Sequence, residues 1–212
     1  NINPGQPVWV TAGTASADGC GNSIEKVFYV EVNEAPDAHF GWLPYSGCLS
    51  DAIQFKDSTN YSGGVVPFKW FWDFGDGTQA QIMNASAKSY ITPGDYLIHL
   101  IVETNFGCLD SFSKTIHIAH DPVAIFFIND SIQCLINNKF IFTDNSYITS
   151  GSLTNVWLLT NGTQLSNIDT IIETYTKSGN YLITLTVRSD YGCQDSLSKM
   201  IYINQEPTVS FS

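Results

Sequence analysis

The sequence predicts an all-β protein made of short sandwich modules repeated in tandem. Three observations predict it. Periodic segments alternate apolar and polar residues, turn residues punctuate them, and the chain repeats itself at an offset of 85 residues. Alternation with period two marks a half-buried strand, because successive side chains leave opposite faces. No 11-residue window carries a helical stripe. Thr, Tyr, Phe, Val and Ile dominate the periodic segments, as strands favour.

Residues 90–118 read YITPGDYLIHLIVETNFGCLDSFSKTIHI and residues 175–203 read YTKSGNYLITLTVRSDYGCQDSLSKMIYI. Tyr90/Tyr175, Gly94/Gly179, Tyr96/Tyr181, Gly107/Gly192, Cys108/Cys193, Asp110/Asp195 and Lys114/Lys199 stand in register, as do Trp72 and Trp157. Cys48-Leu49 matches Cys134-Leu135 at offset 86, and Phe55-Lys56-Asp57 matches Phe142-Thr143-Asp144 at offset 87, which implies small loop insertions. The ends follow the same period. Pro4-Gly5, Val8, Gly19-Cys20, Ser23 and Lys26 mirror Pro93-Gly94, Tyr96, Gly107-Cys108, Ser111 and Lys114. Pro207 and Phe211 mirror Pro36 and Phe40. The expected layout is the tail of a truncated repeat at 1–34, full repeats at 35–120 and 121–205, and the first strand of another at 206–212. Such a chain reads as a segment of a much longer repetitive polypeptide.

Within a repeat the elements follow from parity. Tyr96, Ile98, Leu100 and Val102 share one face, with Leu97, His99 and Ile101 on the other. The second copy places Tyr181, Ile183, Leu185 and Val187 against Leu182, Thr184 and Thr186. Pro93-Gly94 precedes the strand and Asn105-Phe106-Gly107 follows it, both turn signals. About seven short strands in ~85 residues, with turns every 8–12, predict an immunoglobulin-like sandwich.

Composition narrows the function. Charged residues are 14% of the chain, and 9 Lys+Arg against 20 Asp+Glu leave a net charge of −11. Arg188 is the single arginine. A phosphate backbone needs clustered cations, so nucleic acid is excluded as a partner, and an anionic membrane surface is disfavoured for the same reason. No apolar run approaches the ~18–20 residues of a membrane span. Asn1-Ile2-Asn3-Pro4 shows no basic or apolar leader. Ser, Thr and Asn supply about a quarter of the residues, so hydroxyls and amides wet the surface.

Residues 70–78 read Trp-Phe-Trp-Asp-Phe-Gly-Asp-Gly-Thr, followed by Tyr90 and Pro93-Gly94-Asp95-Tyr96. This pattern resembles the PKD (polycystic kidney disease) domain family, strongly over 36–118 and more weakly over 122–203. The resemblance implies a β-sandwich used outside the cell for spacing or adhesion, without catalysis of its own. The residues agree. Trp72 and Phe74 share strand parity and both can enter a core, and Asp76-Gly77 is a hairpin dipeptide. The second copy, Trp157-Leu158-Leu159-Thr160-Asn161-Gly162-Thr163, keeps the Trp and an Asn-Gly turn but replaces Asp73 and Asp76. A required acid or metal pair would not survive that change, whereas a turn would. Trp72, Asp73, Phe74, Gly75, Asp76, Gly77, Trp157, Asn161 and Gly162 are therefore expected to form structural turns. No cofactor is expected.

The other candidates are weaker. His39, His99, His117 and His120 show no ligand spacing, and no G-x-S-x-G is present, so an enzyme is not expected. Glu34, Asp37, Asp121 and Glu206 gather at repeat joins. One or two carboxylates per join fall short of the 6–8 oxygens calcium takes, so a polar linker is expected, with calcium bridging as the alternative. Trp9, Trp42, Tyr45 and Tyr61 in or near loops, with Phe71, raise stacking on sugars. Phe71 and Trp42 become Val156 and Ile128 in the second copy, which favours packing. Asp-Ser/Thr-apolar triplets at Ser131, Thr170 and Ser196 fit a Bacteroidota O-glycosylation pattern, and Asn60, Asn84, Asn129 and Asn161 are acceptors in a host that reads them.

Five cysteines are odd in number. The repeat frame pairs Cys48 with Cys108 and Cys134 with Cys193, leaving Cys20. The competitor is Cys48 with Cys193. In immunoglobulin connectivity the first loop and the last hairpin turn lie at opposite ends, and Cα atoms beyond about 7 Å cannot be bridged.

Only Ala119, His120 and Asp121 separate Ile118 from Pro122. The short join and fixed proline φ restrict a hinge, so end-to-end modules should form a fairly stiff rod. The expected function is the stalk or shaft of a very large secreted or cell-surface adhesin. The Gly-Cys-x-Asp turn, polar composition and repetition look most like Bacteroidota gliding-motility adhesins exported by the type IX system. The alternative is an accessory sugar-binding array of a secreted hydrolase or protease. Expected partners are neighbouring repeats and polysaccharide or surface ligands.

Overall fold

Alternating apolar residues favour strands, and among the described residues every regular element of the computed structural model is a strand. The structure describes residues 8–12, 26–30, 32–45, 47–61 and 66–208. Pro4-Gly5, Gly19-Cys20, Ser23 and Phe211 lie outside the described residues. Among the described residues no helix is long and apolar enough to cross a membrane.

The chain forms two compact units. The first comprises Asn1–Leu43, Ile53–Lys88 and Tyr96–Ile116. In it β1 (Val8–Ala12) pairs antiparallel with β2 (Lys26–Val30). β3 (Phe40–Leu43) pairs antiparallel with β4 (Gln54–Asp57). β5 (Pro67–Asp73), β6 (Gln79–Ala80), β7 (Gly94–Thr104) and β8 (Leu109–Ile118) make a sheet in the order β6-β5-β7-β8. The ladder shifts register between Pro67 and Lys69, next to a residue without an N–H. Trp72 stands opposite Leu100. Both are fully buried with Phe55, Ile98 and Val102, and Phe40 and Phe74 are nearly so. The rings of Phe40 and Trp72 meet edge to face at 5.3 Å, and Trp72 stacks on Phe74 at 6.2 Å, geometries that add to area burial.

Trp9 lies in β1 opposite Tyr29 and Trp42 in β3 opposite Phe55, each one residue from a strand end. Both flank β-favouring residues that complete a ladder. The Lys114 ammonium sits 4.8 Å from the Trp42 ring centroid, so that aromatic face is covered by a cation.

The second unit comprises Pro44–Ala52, Ser89–Asp95 and His117–Ser212. Its strands are β9 (Phe126–Ile128), β10 (Ile132–Cys134), β11 (Phe140–Asp144), β12 (Leu153–Leu158), β13 (Gln164–Ser166), β14 (Thr170–Glu173), β15 (Gly179–Ser189) and β16 (Gln194–Asn204). They form two sheets, β14-β11-β9 and β10-β16-β15-β12-β13. One core serves both: Phe126, Phe140, Phe142 and Ile171 come from the first sheet, and Trp157, Ile183, Leu185, Val187, Ile201 and Ile203 from the second. Trp157 stands opposite Leu185, as Trp72 does opposite Leu100. Tyr175 packs edge-on against Phe140 at 5.7 Å. Burial, with Glu173 and Tyr181 nearby, pushes its hydroxyl pKa up to about 12.

Candidate functional site

The acidic turn of the first unit is held by its own side chains. The Asp73 carboxylate accepts from the Gly75 N–H at 2.9 Å. The Asp76 carboxylate accepts from the Thr78 N–H at 3.1 Å and the Thr78 hydroxyl at 2.6 Å. Each is an Asx-type bond that mimics a turn. Gly75 and Gly77 take φ of 73° and 84°. A Cβ on Gly75 would stand 2.7 Å from the Leu97 carbonyl oxygen, so glycine is required there on both counts. The second unit reaches the same turn differently. Asn161 accepts from the Thr163 N–H at 3.0 Å, and the Thr160 hydroxyl donates to the Leu182 carbonyl at 2.8 Å. Trp72 Nε1 donates to the Ile82 carbonyl at 2.9 Å, and Trp157 Nε1 to the Ile168 carbonyl at 2.8 Å. The arrangement anchors a hairpin and its tryptophan.

Asp76 also pairs with the Lys88 ammonium. Burial alone would raise its pKa, but the Lys88 and Thr78 donors outweigh that and hold it below the ordinary 3.8. A carboxylate depressed in the folded state contributes stability that is present above its unfolded pKa and lost as pH falls through the folded one. In urea titrations the wild type should therefore lose more stability than the Asp76→Asn variant between pH ~5 and ~2. Parallel losses would refute this role for the Asp76 charge.

A second pair of aspartates carries a role that repeat alignment marks but parity does not explain. Asp110 accepts the Ala38 N–H at 2.7 Å, and Asp195 accepts the Ala124 N–H at 2.8 Å. Ala38 and Ala124 are buried, so these carboxylates satisfy backbone donors at the start of each repeat. The signal was the recurring Gly-Cys-x-Asp spacing. Asp195→Ala should cost about 1–3 kcal/mol by leaving the Ala124 N–H unpaired, read as a shift of the urea midpoint. An unchanged midpoint would contradict the assignment.

The cysteines overturn the intra-repeat pairing. Cys48 bonds to Cys193, with Cα atoms 5.6 Å apart and a sequence separation of 145. Both lie in the second unit, where they form a small buried cluster with Ala119. Cys108, half-buried, and Cys134, exposed, carry free thiols. Strand length gives the reason. Cys134 pairs in parallel with Asn204 at the last position of β16, whereas Cys193 precedes its first. Eleven residues at about 3.3 Å each separate the two by roughly 35 Å, far beyond disulfide reach. In the first repeat Cys48 likewise bridges Ala119, just past the end of β8, while Cys108 precedes its start.

The remaining candidates are dispersed. Cys48, Asp121 and Cys193 bring ligand-type atoms within 4.8 Å of one another, but both sulfurs are consumed by the bond. Asp121 accepts from the Ser50 hydroxyl, Glu206 from the Ile136 N–H, and Asp37 lies 3.4 Å from His39. His99 meets the Ser113 hydroxyl at 2.6 Å, and His117 meets Asp95 at 2.6 Å while stacking on Tyr191. Tyr45 is 76% and Tyr61 44% exposed. Ser131, Thr170 and Ser196 are exposed, the latter two within strands.

Comparison with known proteins matches residues 33–120 to the PKD domain family model. Over 196 residues it is 28% identical to Collagenase ColA of Clostridium perfringens, covering 86% of this chain and 16% of the collagenase. It is similar to the PKD1 domain of Vibrio anguillarum Epp at 24% identity and a TM-score of 0.35, covering 41% of this chain and 95% of that domain. It is similar to the PKD1 domain of the Vibrio cholerae metalloprotease PrtV at 23% identity and a TM-score of 0.35, covering 40% and 98%.

Proposed function

We propose that this chain, which matches the PKD domain family model at 33–120, is a non-catalytic extracellular repeat segment serving as the stalk or shaft of a large secreted or cell-surface protein. One observation carries the reading: a disulfide joins the first loop of one sequence repeat to the last turn of the next. Such bonds persist in oxidising compartments and are rare in the cytosol. A covalent tie between consecutive repeats suits a segment that transmits load. Asp73, Asp76 and Asn161 of the conspicuous motif accept from backbone N–H groups of their own turn, which supports a structural module.

Small-angle scattering tests the stalk. The longest strands run eleven residues, about 36 Å at about 3.3 Å each before loops are added, so two modules in line should exceed about 70 Å. A maximum dimension near that of one globular 23.4 kDa particle would overturn the reading.

The similarity to a collagenase over 196 residues favours a second reading, an accessory module of a secreted protease. Saturable binding of the isolated chain to collagen fibrils, or to members of a glycan array, would establish it in place of the stalk.

A further inference from the structure

We infer that the bond between Cys48 and Cys193 is one step of a ladder. The first-loop cysteine of each repeat joins the last-turn cysteine of the repeat that follows it. Cys134 is then the open half of the next link, and Cys108 the open half of the previous one. The inference rests on reading the chain as part of a longer repeat array.

The backbone supports it at all four positions. In the last turns, the Cys193 N–H donates to the Ser189 hydroxyl at 3.1 Å and the Cys108 N–H to the Thr104 hydroxyl at 3.1 Å. The Ser189 N–H donates to the Cys193 carbonyl and the Gly192 N–H to the Ser189 carbonyl; Thr104, Cys108 and Gly107 repeat both bonds. Gly107 and Gly192 share positive φ, 78° and 91°. In the first loops, Cys48 bridges Ala119 in parallel and Cys134 pairs with Asn204 in parallel. The Leu49 N–H donates to the Ala119 carbonyl at 3.0 Å, and the Leu135 N–H to the Asn204 carbonyl at 2.9 Å. Ala119 and Asn204 are themselves one period apart. Cys108 therefore sits in the same turn as the bonded Cys193, and Cys134 at the same strand-end position as the bonded Cys48. What differs is the bond: Cys48 and Cys193 are 7% and 1% exposed, whereas Cys134 is open to solvent.

The odd cysteine count follows. Cys20 aligns with Cys108 in sequence, and under the same rule its partner belongs to an earlier repeat of the array. Each link forms when two thiols lose two protons and two electrons to a disulfide oxidant such as oxidised glutathione, which leaves as two reduced thiols.

Alkylation under denaturing, non-reducing conditions, followed by peptide mapping, tests the rule on the chain itself. With five cysteines and one bond, three thiols should react, at Cys20, Cys108 and Cys134. A single reactive thiol, with Cys48 linked to Cys108 and Cys134 to Cys193, would overturn the ladder. The same mapping on the full-length native protein should find Cys134 joined to a Gly-Cys turn in the following repeat. Further repeats with Cys134 alkylated or bonded inside its own repeat would overturn the ladder and leave the array standing. Absence of flanking repeats would overturn the array reading, and the ladder beyond the observed link would fall with it.

Discussion

Replacing Trp157 by alanine is expected to destabilise the second unit by about 3–5 kcal/mol. The side chain is fully buried, and its ring lies 5.1 Å from that of Phe126 and 6.3 Å from that of Phe142. Truncation opens a cavity between two sheets whose strands are held in register by their ladders, so the backbone around the site can relax only in part. It also strands the Ile168 carbonyl, which now accepts from the indole N–H. Trp157→Phe keeps most of the apolar volume and loses that hydrogen bond, so it should cost clearly less. Chemical denaturation followed by circular dichroism reads both. A loss below about 1 kcal/mol for the alanine variant would mean the core does not depend on this residue.

Loss of the disulfide is the other large effect. In the chain-entropy model a bond between residues 145 apart restricts the unfolded chain by about 5 kcal/mol, and measured losses for native bonds run about 2–5. Cys193→Ser should therefore lower stability by an amount in that range. The turn itself should survive, because the bonds from Ser189 use the backbone of residue 193. A reducing agent should destabilise the wild type to the same extent and leave the variant unmoved. Cys134→Ser should have little effect on the isolated chain, since that thiol is exposed and unbonded. Equal losses for Cys134→Ser and Cys193→Ser would show that these two cysteines are partners after all.

Much of this architecture is local information. Period-two alternation placed Ile98, Leu100 and Val102 on one face and Ile183, Leu185 and Val187 on its equivalent, and all six are buried. Whether a side chain enters the core is fixed by strand parity, and parity is written along the chain. The turn motif is legible for the same reason. Asp76 and Asn161 each bind the backbone two residues ahead, so no distant part of the molecule is needed to form those bonds.

What the sequence left open depends on where distant segments meet. Asp110 and Asp195 recur at one spacing, but their partners, the Ala38 and Ala124 N–H groups, lie 72 and 71 residues away. The cysteines show the point most sharply. The repeat frame put Cys48 and Cys108 in one module and so favoured them as partners, while immunoglobulin connectivity, which sets the first loop and the last turn at opposite ends, made Cys193 the competitor. Only the tertiary structure decided. A strand of ten or eleven residues is a rigid spacer, and it holds the two cysteines of each repeat at its opposite ends. Sequence alignment determines which residues are equivalent; the length and direction of the strands between them determine which can touch.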